Sequence, residues 1–249
     1  MIMFVIPAYN EAENIDALLD NIGRKMKELN RGDYRILLIN DGSMDSTEEK
    51  ALSARDRIPL EVISHETNRG VGQAFRTGFS RALEIAGDND IIVTKEADNT
   101  SDLDILDAML DKIDSHTDVV LASCYAPEGK IVGTTIDRIF LSSVANGMLK
   151  LLFPIKGINT YSSFYRAYRT ASLRKAFGAY GSSLIEENGF VCMVEMLIKF
   201  SKLGLRIDEV PMILRCDFRK GKSKMNKWKT VGTYVRLIAR ECKSARSKA

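Results

Sequence analysis

Five short runs of mostly branched apolar residues punctuate the first half of the chain: Ile2 to Ile6, Tyr34 to Ile39, Leu60 to Ser64, Ile91 to Thr94 and Val119 to Ala122. Such near-continuous runs are the pattern of strands buried on both faces of a parallel sheet. Between them apolar positions recur at helical spacing, as in Ile15, Leu18, Leu19 and Ile22, and again in Leu103, Leu106, Met109, Leu110 and Ile113. Polar groups mark the helix starts: Asn10 with Glu13 three residues on, Ser43 with Asp45, and Thr100-Ser101-Asp102. The alternation predicts an α/β domain, a Rossmann-like and mostly parallel sheet with helices on both faces.

In an open sheet of this kind the ligand crevice lies outside the carboxyl ends of the strands. Four polar segments fall there: Pro7 to Glu11, Asn40 to Asp45, Asn68 to Gln73 and Glu96 to Thr100, all rich in Gly, Asn and acid. Glu96-Ala97-Asp98 follows the fourth strand directly. Side chains two apart on an extended segment point the same way. Two converging carboxylates make a hard-oxygen site suited to a divalent cation and a phosphate-bearing ligand. A solvated turn is the alternative for any such triplet taken alone, so the weight lies on the convergence of all four loops.

Charge and composition narrow the setting. A chain of 249 residues that is 45% hydrophobic supports one substantial core. Net charge is only +3, yet from Arg219 onward eleven basic residues face Glu241 alone, which suggests an anionic partner or surface. Cys124, Cys192, Cys216 and Cys242 lack metal-ligand spacing and read as reduced, cytosolic thiols. No secretory signal precedes the first strand and no apolar run reaches the roughly 18 residues of a membrane span, so a soluble or peripheral protein is expected. Val231, Tyr234, Val235, Leu237 and Ile238 share a helical face, with Lys227, Trp228, Lys229, Arg236 and Arg240 around it. A basic amphipathic helix of this type either lies in an anionic membrane interface or packs on its own domain. Ile139 to Phe153 is a second amphipathic stretch that either serves the membrane in the same way or packs on the core, the latter being expected.

Two nucleotide-binding classes fail on the first loop. Pro7-Ala8-Tyr9-Asn10-Glu11 holds no glycine where a dinucleotide pyrophosphate would approach the backbone, and a nucleotidyltransferase would want a glycine-rich loop there too. The ordered set of Pro7 to Glu11, Asn40-Asp41-Gly42-Ser43-Met44-Asp45-Ser46-Thr47, Asn68-Arg69-Gly70-Val71-Gly72-Gln73-Ala74 and the acidic triplet instead resembles family 2 glycosyltransferases of the GT-A fold. Ser162 to Arg169 looks like that family's serine-glycine-phenylalanine-arginine segment. Glu209-Val210-Pro211 and Arg219-Lys220-Gly221-Lys222-Ser223-Lys224 look like the close of polyprenyl-phosphate sugar synthases, the dolichyl-phosphate mannosyltransferase group.

The resemblance implies a GT-A domain over residues 1–225 followed by a basic amphipathic tail over 226–249. It implies that Pro7, Tyr9, Glu11, Asp41, Asn68 and Ala97 line the site of a nucleoside diphosphate sugar, GDP-mannose or a UDP-sugar. Tyr9 offers a face for stacking, and Glu11 and Asp41 offer acceptors. Asp98 matches the metal-binding aspartate, with Glu96 where a first aspartate is usual, and Mg²⁺ or Mn²⁺ there would stabilise the departing diphosphate. Arg138 matches an arginine that meets the acceptor phosphate, and Arg219 and Lys224 match a basic loop over the diphosphate. Plainer roles stay open: helix capping for Asp41 and Ser43, a turn for Asn68 and Gly70, a solvated helix position for Arg138, a general basic tail for Arg219 and Lys224. His65 and His116 sit in no motif and read as surface or strand-edge residues.

A phosphate monoester is already mostly dianionic at neutral pH and needs cations rather than a base, whereas an alcohol needs a general base. The expected reaction is therefore inverting transfer to a polyprenyl phosphate at the cytoplasmic face of a membrane, with a membrane subunit possible and no nucleic-acid partner. Glu186-Glu187 is the candidate base if the acceptor is instead a saccharide or protein hydroxyl. Lys95, Glu96, Asn99-Thr100, Cys124, Asn159 and Ser163 depart from the family pattern, which also admits a nucleotide-sugar-binding protein without turnover.

Overall fold

The computed structural model describes residues 1–114, 117–221 and 227–246. His116, Lys222, Lys224 and Lys248 lie outside the described residues, as do the side chains of Lys227, Trp228, Lys229, Lys243 and Arg246. The five expected strands all form: β1 (Ile2–Ala8), β2 (Tyr34–Asn40), β3 (Leu60–Ser64), β4 (Ile91–Thr94) and β5 (Val119–Ser123). Four more follow among the described residues: β6 (Lys130–Val132), β7 (Arg166–Arg169), β8 (Ile207–Pro211) and β9 (Ile213–Arg215). β1 runs through Ala8, so Pro7 belongs to the strand, opposite Ile39, and not to the loop after it.

Seven strands make one sheet in the order β3-β2-β1-β4-β7-β5-β8. β7 is antiparallel to both β4 and β5, and every other pair is parallel. β6 and β9 form a small separate ribbon, and a bridge from Leu214 to Ser101 ties it to the segment after the acidic triplet.

Alternation along each strand divides the core between two layers. Ile2, Phe4 and Ile6 face α1 (Ile15–Glu28), α2 (Thr47–Ser53) and α4 (Leu106–Asp114). Met3 and Val5 face α3 (Val71–Ile85), α6 (Thr170–Tyr180) and α7 (Cys192–Lys202). The period of two on a strand places successive residues in different layers, which is why each run must be apolar throughout. Gly78 lets α3 lie close on the sheet: a Cβ there would stand 2.4 Å from Val5 Cγ1 and 3.2 Å from Ile39 Cγ1.

Two helices depart from this scheme. α5 (Ile136–Leu152) contradicts the expectation of core packing: Leu149 is buried, but Ile136 is 85% and Leu151 82% exposed, and Phe140, Leu141 and Val144 face outward with them. α5 is anchored by polar bonds instead, from Asn146 and Lys150 to Asn159 and from Tyr161 N–H to Asn146 Oδ1. α8 (Lys227–Arg246) rests Tyr234, Leu237 and Ile238 on the α3–α7 layer and leaves Val231 and Val235 in the open. Among the described residues no helix is long and apolar enough to cross a membrane.

Filling the Gly78 contact tests the layer packing. Gly78→Leu should lower unfolding stability by about 2 kcal/mol through overpacking, read from the urea midpoint; an unchanged midpoint would show that α3 does not press on Val5 and Ile39.

Candidate active site

The polar loops meet at the carboxyl edge of the sheet, and hydrogen bonds lock the first two together. Asn10 N–H donates to Ser43 Oγ (2.9 Å), Glu11 N–H to Thr47 Oγ1 (2.8 Å) and Ala12 N–H to Asp45 Oδ2 (3.2 Å). Met44 N–H returns a bond to Asn10 Oδ1 (2.8 Å). Asn10 takes the left-handed conformation (φ 52°) that this exchange requires and that asparagine tolerates. The helix-start expectations shift accordingly. α1 begins at Ile15, well past Asn10; Ser43 receives the first loop and caps nothing; Asp45 does cap, accepting Thr47 N–H at 3.0 Å. Asp102 caps the turn at Leu103–Ile105 as expected.

Asp41 holds the third loop. Its Oδ1 accepts Arg69 N–H (3.0 Å) and lies 2.7 Å from His65 Nδ1, while Oδ2 accepts Gly70 N–H (2.9 Å). Capping α2 is therefore not its role. His65 is no surface histidine either: its buried ring bridges Asp41 and Thr77. Gly42 (φ 69°) lets the loops close up, because a Cβ there would sit 2.5 Å from Asn68 N. Asn68 itself is exposed and Tyr9 half-buried, both free of the core. Ala97, by contrast, turns its methyl into the apolar layer beneath α1 and α4.

The acidic triplet gathers opposed charges at the end of β4. Asp98 is buried; Oδ1 accepts Thr100 N–H (3.1 Å) and Oγ–H (2.7 Å), and Oδ2 meets Arg219 Nε at 2.7 Å and Nη2 at 2.6 Å. Burial alone would raise this carboxyl, but the Arg219 charge and the Thr100 donors outweigh it and hold it below the usual range. Burial raises Glu96, and the neighbouring Asp98 charge raises it further against the opposing pull of Lys95. Glu96 accepts Ser101 Oγ–H at 2.8 Å. Lys95 is itself buried, donating to Ser101 O and lying 5.1 Å over the Tyr165 ring; burial depresses its ammonium.

Around this pair stand the cations. Arg138 is exposed near the start of α5 and close enough to Cys216 to lower its thiol, as is Arg219, although burial leaves Cys216 raised on balance. Lys224 lies outside the described residues. The position of Cys124 carries no cation: its thiol is half-buried, pushed up by desolvation to about 11 and neutral at physiological pH. Asn159 donates from its backbone and side-chain nitrogens to Glu209 (2.7 and 2.5 Å), a pairing that an aspartate could not make through its side chain. Glu187 is paired with Arg240 at 3.1 Å, and Glu186 with Lys199 at 3.1 Å.

The chemistry of the donor set fits a divalent ion in a specific way. Glu96 and Asp98 repel one another, and a guanidinium already neutralises Asp98 Oδ2. Among the described residues no group of three or more His, Cys, Asp or Glu could hold a metal alone. Such a site suits an ion that brings phosphate oxygens as its remaining ligands.

An α/β sheet with one inserted antiparallel strand, polar loops at its carboxyl edge and an acid pair after β4 defines a GT-A glycosyltransferase domain. The model of glycosyl transferase family 2 matches residues 3–177, and the chain belongs to that family. It is 30% identical over 241 residues to a dolichol-phosphate mannosyltransferase of Pyrococcus furiosus, covering 95% of this chain and 62% of that one. It is 29% identical over 226 residues to an undecaprenyl-phosphate mannosyltransferase of Micrococcus luteus, covering 90% and 87%. The chain thus spans less than two thirds of the Pyrococcus protein. Among solved structures, glucosyl-3-phosphoglycerate synthase of Mycobacterium tuberculosis, in complex with Mn²⁺ and UDP, superposes with TM-score 0.64 at 19% identity, covering 98% of this chain and 79% of that one. S. aureus TarS with UDP-GlcNAc gives TM-score 0.62 at 21% identity, covering 96% and 66%. These structural likenesses concern the fold.

Two measurements test this geometry. Asp41→Asn places an NH₂ among amide donors and should cost about 2 kcal/mol of stability; a urea midpoint within error of wild type would show that Asp41 does not hold the 69–70 turn. Asp98 has a depressed folded pKa, so its contribution is present above the unfolded value of about 3.9 and is lost as pH falls through the folded one. Arg219→Gln should shrink that acid-side decline; an identical pH–stability curve would show that Arg219 is not its cause.

Proposed function

We propose that this domain transfers a sugar, with inversion, from a nucleoside diphosphate sugar such as GDP-mannose or a UDP-sugar to a polyprenyl phosphate. The observation that carries the acceptor assignment is the state of the acids. Glu186 and Glu187, the candidate bases for a hydroxyl acceptor, are held in ion pairs with Lys199 and Arg240. A nucleophile that arrives already ionised does not need them. What the site edge supplies instead is positive charge, from Arg219 and from Arg138.

Glu96 and Asp98 would hold Mg²⁺ or Mn²⁺, whose contribution is to neutralise the diphosphate as it leaves. Tyr9, Glu11, Asp41 and Asn68 flank the place of the nucleoside. Arg219 reaches over the diphosphate, and Lys224 follows it in the chain. Arg138 receives the acceptor phosphate, and the exposed apolar face of α5 that starts beside it suits a prenyl chain or the bilayer surface. Val231 and Val235 with Arg236 on α8 add a second apolar and basic edge, consistent with peripheral attachment at the cytoplasmic face of an anionic membrane. The two curated relatives carry polyprenyl-phosphate acceptors in their names, which supports the same class here. A membrane-embedded partner subunit is compatible with this placement.

Radiolabelled donors incubated with undecaprenyl or dolichyl phosphate test the proposal. Label should enter the lipid fraction, vanish in Asp98→Ala, and in Arg138→Ala show a KM for the lipid raised about tenfold with the donor KM unchanged, the loss of one charged phosphate contact. Absence of lipid label with every common donor, or transfer to a sugar hydroxyl abolished by Glu187→Gln, would contradict it.

A further inference from the structure

Asn14 belongs to none of the residues that the family resemblance assigns, yet it joins three parts of the site, two through its buried side chain and one through its backbone carbonyl. Its Nδ2 donates to Glu11 Oε2 at 2.6 Å and to the Lys220 carbonyl at 3.2 Å. Its Oδ1 accepts the Lys220 N–H at 3.4 Å, so one amide meets both backbone groups of a residue 206 positions away. Its own carbonyl accepts Asn99 Nδ2 at 2.9 Å. Asn99 is the residue after Asp98 and holds a left-handed backbone (φ 59°). Asn14 stands at the N-cap of α1 but makes no side-chain cap bond there, so helix capping does not account for the amide.

We propose that Asn14 is a positioning residue: it fixes the Lys220 peptide against the first and fourth loops and so sets where Arg219 stands. The two are consecutive, and Cα atoms one residue apart are about 3.8 Å from one another. Holding the Lys220 peptide therefore fixes the root of the Arg219 side chain and leaves its guanidinium free. That guanidinium rests on Asp98. When a cation and a diphosphate arrive, it can turn to the phosphate oxygens from the same root. Because the Asn14 contacts are to backbone, they are indifferent to the side chain at 220. Without Asn14 the arginine must be ordered anew for every donor, an entropic cost that appears as weaker binding. The docking itself stands on the geometry alone; its effect on the donor rests on the proposed role of Arg219.

Hydrogen exchange and calorimetry separate the two. In Asn14→Ala, and in Asn14→Ser should alanine fold poorly, peptides covering 215–221 should exchange about tenfold faster while β1 and β4 peptides do not change, the size expected for loss of two modest hydrogen bonds. Titrated with Mn²⁺ and either GDP or UDP, the same variant should bind about tenfold more weakly, and Asn14→Ala with Arg219→Ala should bind no worse than Arg219→Ala alone. Unchanged exchange at 215–221 would overturn the docking role. Penalties that multiply in the double variant would overturn action through Arg219. If the wild-type chain binds neither nucleotide, the donor reading fails, and the exchange result still decides the docking role.

Discussion

Two carboxylates at the end of one buried strand cannot both sit charged and unneutralised, and much of this site follows from that constraint. Glu96 and Asp98 oppose each other, and the protein answers with three devices. Thr100 donates twice to Asp98, Arg219 crosses 121 positions of sequence to pair with it, and the charge of buried Lys95 opposes the rise of Glu96. A buried carboxylate stripped of such partners is strongly destabilising. Asp98 is neutralised by Arg219, the cation that the proposed metal ion and diphosphate would displace.

Around that charged centre the loops are held by polar bonds rather than by apolar packing. Ser43, Asp45 and Thr47 receive the backbone of the first loop, Asp41 and His65 hold the third, and Asn14 reaches the basic segment. Loops at a sheet edge have little hydrocarbon to bury, and side chains that accept N–H groups give them order without closing the crevice. The apolar surface that the site does possess lies on α5, on the open side. Exposed Arg138 at the start of that helix and the apolar face along it are the groups that the proposed acceptor, with its anionic head and hydrocarbon tail, would meet.

The first five strands and the apolar faces of α1 and α4 are legible in the sequence because periodicity reports burial directly. β7 is not. Arg-Ala-Tyr-Arg over 166–169 does not read as core, yet Arg166 is fully buried, its guanidinium engaged by the carbonyls of Ser163 and Tyr161. The loops of the site were placed correctly at the sheet edge, since strand order and polarity alone locate them. Which atoms they bond was hidden: Asn10, Ser43 and Asp41 carry capping chemistry, and only the fold shows that they cap one another's loops instead. His65 and Asn14 were missed because their partners lie in other loops. For α5 the amphipathic pattern fits core packing and a membrane-facing surface alike, because periodicity states that a face is apolar and not what covers it.

Under the proposed function Asp98 would be shared between Arg219 and a divalent cation. Counting free Mn²⁺ by electron paramagnetic resonance, without nucleotide, tests it directly in the wild-type protein and in Arg219→Gln. Removal of the competing guanidinium should tighten Mn²⁺ binding severalfold, with the gain lost again in Asp98→Asn, Arg219→Gln. Equal or weaker Mn²⁺ affinity in Arg219→Gln would contradict the account.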